Sequence, residues 1–157
     1  MAYLIDGNNF LGQISPLEIR DPRSRYALVL KLLSFQGQKK NRIFLAFDGP
    51  PDENLEALVR ERKKFFVIYP PRGQKADMVI QGILERQADL RRFFVVTSDR
   101  ELSAFARGRG ASVLKPKAFN QELRRVLKER RKSRELEKDD ESLTSLEVRL
   151  WDDVFRE

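Results

Sequence analysis

The sequence predicts an α/β fold, a parallel sheet of about five strands covered by helices. Two patterns and the composition point there. Short apolar runs at residues 3–5, 43–47, 65–69, 93–97 and 112–114 alternate with longer amphipathic segments. The runs are apolar almost throughout, as in strands covered on both faces. The chain has 157 residues, 41% hydrophobic with 11 Phe, which suits one domain with a packed core and argues against disorder.

The elements follow in order. Residues 3–5 form the first strand, which ends at Asp6-Gly7. The segment before it has no basic region and no cleavage site, so it reads as a strand and not as a signal peptide. Asp21 can cap a helix that starts at Pro22, carries residues 27–35 and stops at Gly37. Strand two, 43–47, ends at Asp48-Gly49-Pro50-Pro51, and a helix over 53–63 buries Leu55, Leu58 and Val59. Strand three, 65–69, leads through Pro70-Pro71-Arg72-Gly73 to a helix over 76–90, with Val79, Ile80, Ile83 and Leu84 inward. Strand four is 93–97, then a helix over 101–107, strand five over 112–114, and a helix over about 119–136.

A charged stretch at 137–142 is the one linker candidate. Beyond it, Thr144-Ser145-Leu146-Glu147 has the form of a capping box and opens a short amphipathic helix within 143–157. That helix is expected to dock on the domain's own surface, with partner binding as the alternative.

Zero Cys and zero His exclude much chemistry. Disulfides, thiolate nucleophiles, Cys- or His-bound zinc, Ser-His-Asp catalysis and imidazole bases are all ruled out. Lack of Cys suits a reducing compartment, and no apolar run is long enough to span a membrane, so the cytoplasm is the expected location. A net charge of +7 suits a polyanionic partner.

Ligand sites in open parallel sheets lie outside the carboxyl ends of the strands. Asp6 ends strand one, Asp48 follows strand two, Asp99 follows strand four, and Asp77 sits in the first turn of the helix after strand three. Each alone could be a cap or turn residue. Four at one edge suggest a shared task. Clustered carboxylates repel, and a divalent cation relieves this. An all-oxygen donor set selects Mg²⁺ or Mn²⁺, which can acidify a water and neutralise charge on a phosphate. Asp6 and Asp99 are the strongest ligand candidates, then Asp77, then Asp48. Gly7 permits a tight strand exit, and Asn9 can orient Asp6 or bond a phosphate. Thr97 and Ser98 place hydroxyls beside Asp99.

Leu4-Ile5-Asp6-Gly7-Asn8-Asn9, Phe47-Asp48-Gly49, Lys75-Ala76-Asp77 and Val96-Thr97-Ser98-Asp99, in that order along residues 2–136, resemble the YacP-like NYN domains of the PIN/FEN-like nuclease superfamily. The resemblance implies a Rossmann-like α/β/α sandwich with strand order 3-2-1-4-5. It also implies a metal-dependent endoribonuclease domain over 1–136 that leaves a 5′-phosphate and a 3′-hydroxyl. It assigns metal-ligand roles to Asp6, Asp77 and Asp99, with Asp48 as a fourth acid and Asn9 as support. The catalytic set is thus Asp6, Asp48, Asp77, Asp99, Asn9 and Ser98. The expected partner is RNA, single-stranded messenger or ribosomal, with the ribosome a candidate presenter and no membrane. Two positions depart from the family pattern. Asn8 replaces an aromatic residue, and Gln81 stands where a further acid is common, with Glu101 a candidate substitute.

Basic residues cluster at 60–64, at Arg72 and Lys75, around strand five, and most densely at 124–134. A solvated face is the ordinary reading of such a run. Arg72, Lys75, Arg100 and Thr97 are better candidates for RNA contact because they adjoin the acids. Few aromatics interleave the charges, so backbone contact is expected to outweigh base stacking. The rival readings are a non-catalytic RNA-binding module and a receiver-type phospho-acceptor domain. The receiver fits poorly, since Tyr69-Pro70 occupies the position of its acceptor Asp. A phosphatase using Asp6 would need a second Asp where Asn8 stands.

Overall fold

The computed structural model describes residues 1–15 and 21–136. The expected linker at 137–142 and helix at 143–157 lie outside the described residues. Five strands, β1 (Ala2–Asp6), β2 (Arg42–Ala46), β3 (Phe65–Ile68), β4 (Phe93–Val96) and β5 (Ser112–Leu114), pair in parallel in the order β3-β2-β1-β4-β5. Six helices join them: α1 (Gly7–Ile14), α2 (Pro22–Lys39), α3 (Glu53–Val59), α4 (Ala76–Arg86), α5 (Arg100–Gly108) and α6 (Pro116–Leu136). Strand order reverses at β1/β4, the switch point where such sheets bind ligands.

Strand alternation divides the core in two. Tyr3, Ile5, Ile43, Leu45, Phe47 and Val96 face one side, where α1, α2 and α6 pack through Phe10, Leu32, Phe35 and Phe119. Leu4, Ala46, Phe93 and Val95 face the other, beneath Ile80 and Leu84 of α4 and Leu102 and Ala106 of α5. On α2 the buried residues Leu28, Val29, Leu32 and Phe35 recur at helical spacing.

Five elements differ from expectation, among them α3, which ends at Val59 and not at residue 63. Helix α1 directly follows β1, in a stretch where the sequence predicts no helix. Burial of Phe10 and Leu11 outweighs the weak helix propensity of Gly7, Asn8 and Asn9. Helix α2 begins at Pro22 under an Asp21 cap, as expected, but runs through Gly37 to Lys39 before a left-handed Lys40 ends it. Gly37 lies inside the helix because the Arg130 guanidinium of α6 crosses it, donating to the Ser34 carbonyl at 2.8 Å. Helix α4 stops at Arg86, where Asp89 folds a turn by accepting from the Arg91 N–H at 3.0 Å. Helix α6 starts one turn early, with Pro116 in its first turn.

Candidate functional site

Parallel register aligns the carboxyl ends of the inner strands. Asp6 pairs with Ala46 of β2, and Ile5 with Val96 of β4. The residues that follow, Asp48 and Thr97-Ser98-Asp99, therefore emerge beside Asp6. The sequence candidates Asp6, Asp48, Asp77 and Asp99 meet at this edge, where the last three act electrostatically on Asp6. Burial pushes the Asp6 carboxyl up to about 6, partly offset by the Asn9 backbone N–H and reinforced by the charges of Asp48, Asp77 and Asp99. Asp6 is only 8% exposed.

Each of the other acids is held by a different device. One oxygen of Asp48 accepts the Ala76 N–H at 2.7 Å. Asp48 thus caps α4 from across the sheet, where the helix's own cap residue, Lys75, makes no side-chain bond. This anchors the helix turn that carries Asp77. Asp77 presents a buried Oδ1 with no hydrogen-bond partner. Asp99 caps α5 through Oδ1, which accepts the Leu102 N–H at 2.9 Å, and keeps its second oxygen for other work. The Thr97 hydroxyl joins two of the acids, donating to Asp6 Oδ2 at 3.5 Å and accepting the Asp99 N–H at 3.1 Å. Thr97 is itself buried.

Asn9, in the first turn of α1, ties that helix to the turn after β4. Its Nδ2 donates to Ser98 Oγ at 2.8 Å, and its Oδ1 accepts the Ser98 N–H at 2.8 Å. Its side chain therefore orients Ser98, while Asp6 meets only its backbone N–H. Asn8, the departure from the family's aromatic, makes the matching tie to β2: its Oδ1 accepts the Asp48 N–H at 2.9 Å. Arg25 completes that side, donating to the Asp48 carbonyl at 3.2 Å with its guanidinium 4.6 Å from the Phe47 ring centroid. Sequence reasoning missed Arg25 altogether. Nothing in its local spacing links α2 to a strand end 23 residues later.

The remaining candidates fall on either flank. Arg72 lines a concavity of about 420 Å³ between the proline-rich loops after β2 and β3. Arg100 lines a larger one, of about 610 Å³, beside β4 and β5. Residues 60–64 precede β3 and so lie at the opposite end of the strands from the acids. Gln81 is one turn past Asp77 on α4, and Glu101 is exposed in the first turn of α5.

Donor chemistry at this edge fits a hard divalent ion. All ligands on offer are oxygens, one of them is buried without a partner, and Asp6 carries an electrostatic burden that a cation would lift. Among the described residues, no three acids are gathered closely enough to enclose an ion as they stand. Like charge opposes their closer approach.

A family model, YacP-like NYN domain, matches residues 3–157. Two crystal structures of Rae1 (YacP) from Bacillus subtilis share the fold. A tryptophan-to-leucine mutant form is 22% identical with a TM-score of 0.69, covering 96% of this chain and 90% of that one. The other is 23% identical with a TM-score of 0.66, covering 88% and 80%. No curated protein sequence matches this one. Strand order, the aspartates at the strand exits and the match across nearly the whole length agree: the chain belongs to the YacP-like NYN domain family.

Proposed function

We propose that this protein is a divalent-metal-dependent endoribonuclease that hydrolyses single-stranded RNA at the edge formed by Asp6, Asp48, Asp77 and Asp99. The observation that carries the reading is the buried, unpartnered Asp77 Oδ1 beside an Asp6 that burial and three acidic neighbours hold at about 6. Polar atoms in that condition are costly unless a ligand satisfies them. Family membership supports a nuclease-like role.

Asp6, Asp77 and the second oxygen of Asp99 would hold the ion, with Asp48 mainly setting where Asp77 stands. Bound Mg²⁺ or Mn²⁺ would supply charge neutralisation at the phosphate and a more acidic water. The chain's own groups do the rest. Thr97 holds Asp6 and Asp99 in a common orientation through one hydroxyl. Asn9 locks the Ser98 backbone, so the turn between β4 and α5 is held to the first turn of α1. Water oxygen attacks phosphorus, the bond to O3′ breaks, and the leaving oxygen takes a proton, which yields a 5′-phosphate and a 3′-hydroxyl.

The test is cleavage of a single-stranded RNA with Mn²⁺, with Mg²⁺ and with chelator, comparing wild type with Asp99→Asn. Asn caps helices as well as Asp does, so α5 is preserved and the drop in activity reports on charge. Activity should fall by more than about 100-fold in the variant and vanish with chelator. Chelator-resistant cleavage, or an equally active variant, refutes the assignment. RNA binding without cleavage under any divalent ion identifies a non-catalytic module instead.

A further inference from the structure

Beside the carboxylate edge lies the cleft of about 610 Å³ framed by α5, the end of β5 and the start of α6. Its volume is that of a ligand site, for which about 300–1,000 Å³ is usual. Thr97 and Ser98 belong both to its wall and to the acidic site, so the cleft adjoins that site. Four cations line it: Arg100 and Arg107 from α5, Lys115 after β5, and Lys117 in the first turn of α6. All four are exposed, and among the described residues no acid lines the cleft.

Some exposed guanidinium groups elsewhere are neutralised locally, while others, such as Arg62, Arg72 and Arg92, have no ion pair among the described residues. Arg23 pairs with Asp21 at 3.1 Å, Arg91 with Asp89 at 3.0 Å, and Arg125 with Glu122 and Glu129, each at 2.7 Å. Around the cleft, Arg100, Arg107, Lys115 and Lys117 form no ion pair among the described residues. The first turn of α6 also carries no acid, so the positive end of a 21-residue helix adds to the same field. Four like charges around one concavity repel unless a polyanion joins them. Among the described residues the lining contains no aromatic ring on which a base could stack, whereas Ser103 and Gln13 add neutral polar groups.

We propose that this cleft is a phosphate-binding channel that grips the backbone of the RNA strand on one side of the scissile bond, through Arg100, Arg107, Lys115 and Lys117. It rests on the ribonuclease reading of the adjoining edge. The channel is sequence-tolerant, since it holds phosphates and not bases. It also gives the site a direction: the strand enters the β4–β5 flank and passes the acids towards the loops after β2 and β3.

The test measures binding of a fluorescein-labelled single-stranded oligoribonucleotide by anisotropy, in chelator and across a salt series. Arg107→Gln with Lys117→Gln removes two cleft cations. Arg62→Gln with Lys63→Gln removes the same charge from the opposite end of the sheet. All four side chains are exposed, so both doubles leave the core untouched. The cleft double should bind about tenfold more weakly, and its salt slope should fall by about 1.4, at roughly 0.7 for each phosphate of a single strand that is no longer neutralised. The control double should match wild type. Equal behaviour of the two doubles, or wild-type binding by the cleft double, overturns the channel. Metal-dependent cleavage combined with cleft-indifferent binding overturns the channel alone. Cleft-dependent binding with no cleavage under any divalent ion supports the channel and overturns the nuclease reading.

Discussion

Asp6 is buried beside three other carboxylates, and its pKa of about 6 against an ordinary 3.8 has a cost that can be measured. A raised pKa means that the folded chain prefers the neutral carboxyl. Stability from this group is therefore complete below about pH 4 and is lost as pH rises through about 6. Ionised Asp6 destabilises the metal-free fold by about 3 kcal/mol at neutral pH, at roughly 1.4 kcal/mol per pKa unit. Asp6→Asn should accordingly raise Tm in chelator at pH 7.5, with the gain shrinking towards pH 4.5, while abolishing cleavage. Thermal melts of both proteins across that range decide it, and a variant less stable at pH 7.5 refutes the argument. Residue types at the site were legible because carboxylates at strand exits are a recognisable pattern. Their partners were not. Asn8 stands where the family usually has an aromatic ring, and its role is that of acceptor for the Asp48 N–H, a bond across 40 positions of sequence.

Short helix α1 turns on a single glycine. A Cβ on Gly7 would collide with the Phe47 ring and stand 2.8 Å from the Ala46 carbonyl oxygen. The backbone of Gly7 is not among those with positive φ, so glycine is required here by space and not by conformation. Gly7→Ala should destabilise the fold by about 2–3 kcal/mol, as overpacked sites do. In a chain of this size that lowers Tm by roughly 5–10 °C. An unchanged melt would show that Phe47 can give way. Strands and most helices were readable from apolar runs, caps and periodicity. Helix α1 was not, because Asn8 and Asn9 are poor helix formers and only packing against α6 and the sheet makes the segment helical. Gly37 misled for the opposite reason: a residue that normally ends helices is kept inside α2 to let Arg130 pass.

Across the whole molecule, charge is divided by place. Residues 1–116 account for the +7, and the basic run on α6 is balanced by the acids after it. Acids occupy the centre of one sheet edge, and the four cleft cations, without ion pairs among the described residues, flank them. No described helix is long and apolar enough to cross a membrane. If the edge takes up a divalent ion, binding must stabilise the fold. At a free ion concentration 100 times Kd, the gain is about 2.7 kcal/mol. Saturating Mn²⁺ should thus raise Tm by roughly 5–10 °C in wild type and by far less in Asp77→Asn. An equal shift in both proteins places the ion elsewhere.

Fold class, strands, the ban on imidazole and thiolate chemistry and the four aspartates are all legible in the linear chain. These follow from local patterns and composition, which need no knowledge of what lies across the sheet. What each residue does there depends on the three-dimensional arrangement. Parallel register brought β1, β2 and β4 to a common end, so that Asp48 caps a helix 28 positions away and Asn9 locks Ser98 across 89. The same register separated the basic residues at 60–64 from the acids and gathered Arg100, Arg107, Lys115 and Lys117 around one cleft. Chain proximity is blind to such pairings, because a hydrogen bond or a shared electrostatic field depends on distance in space alone.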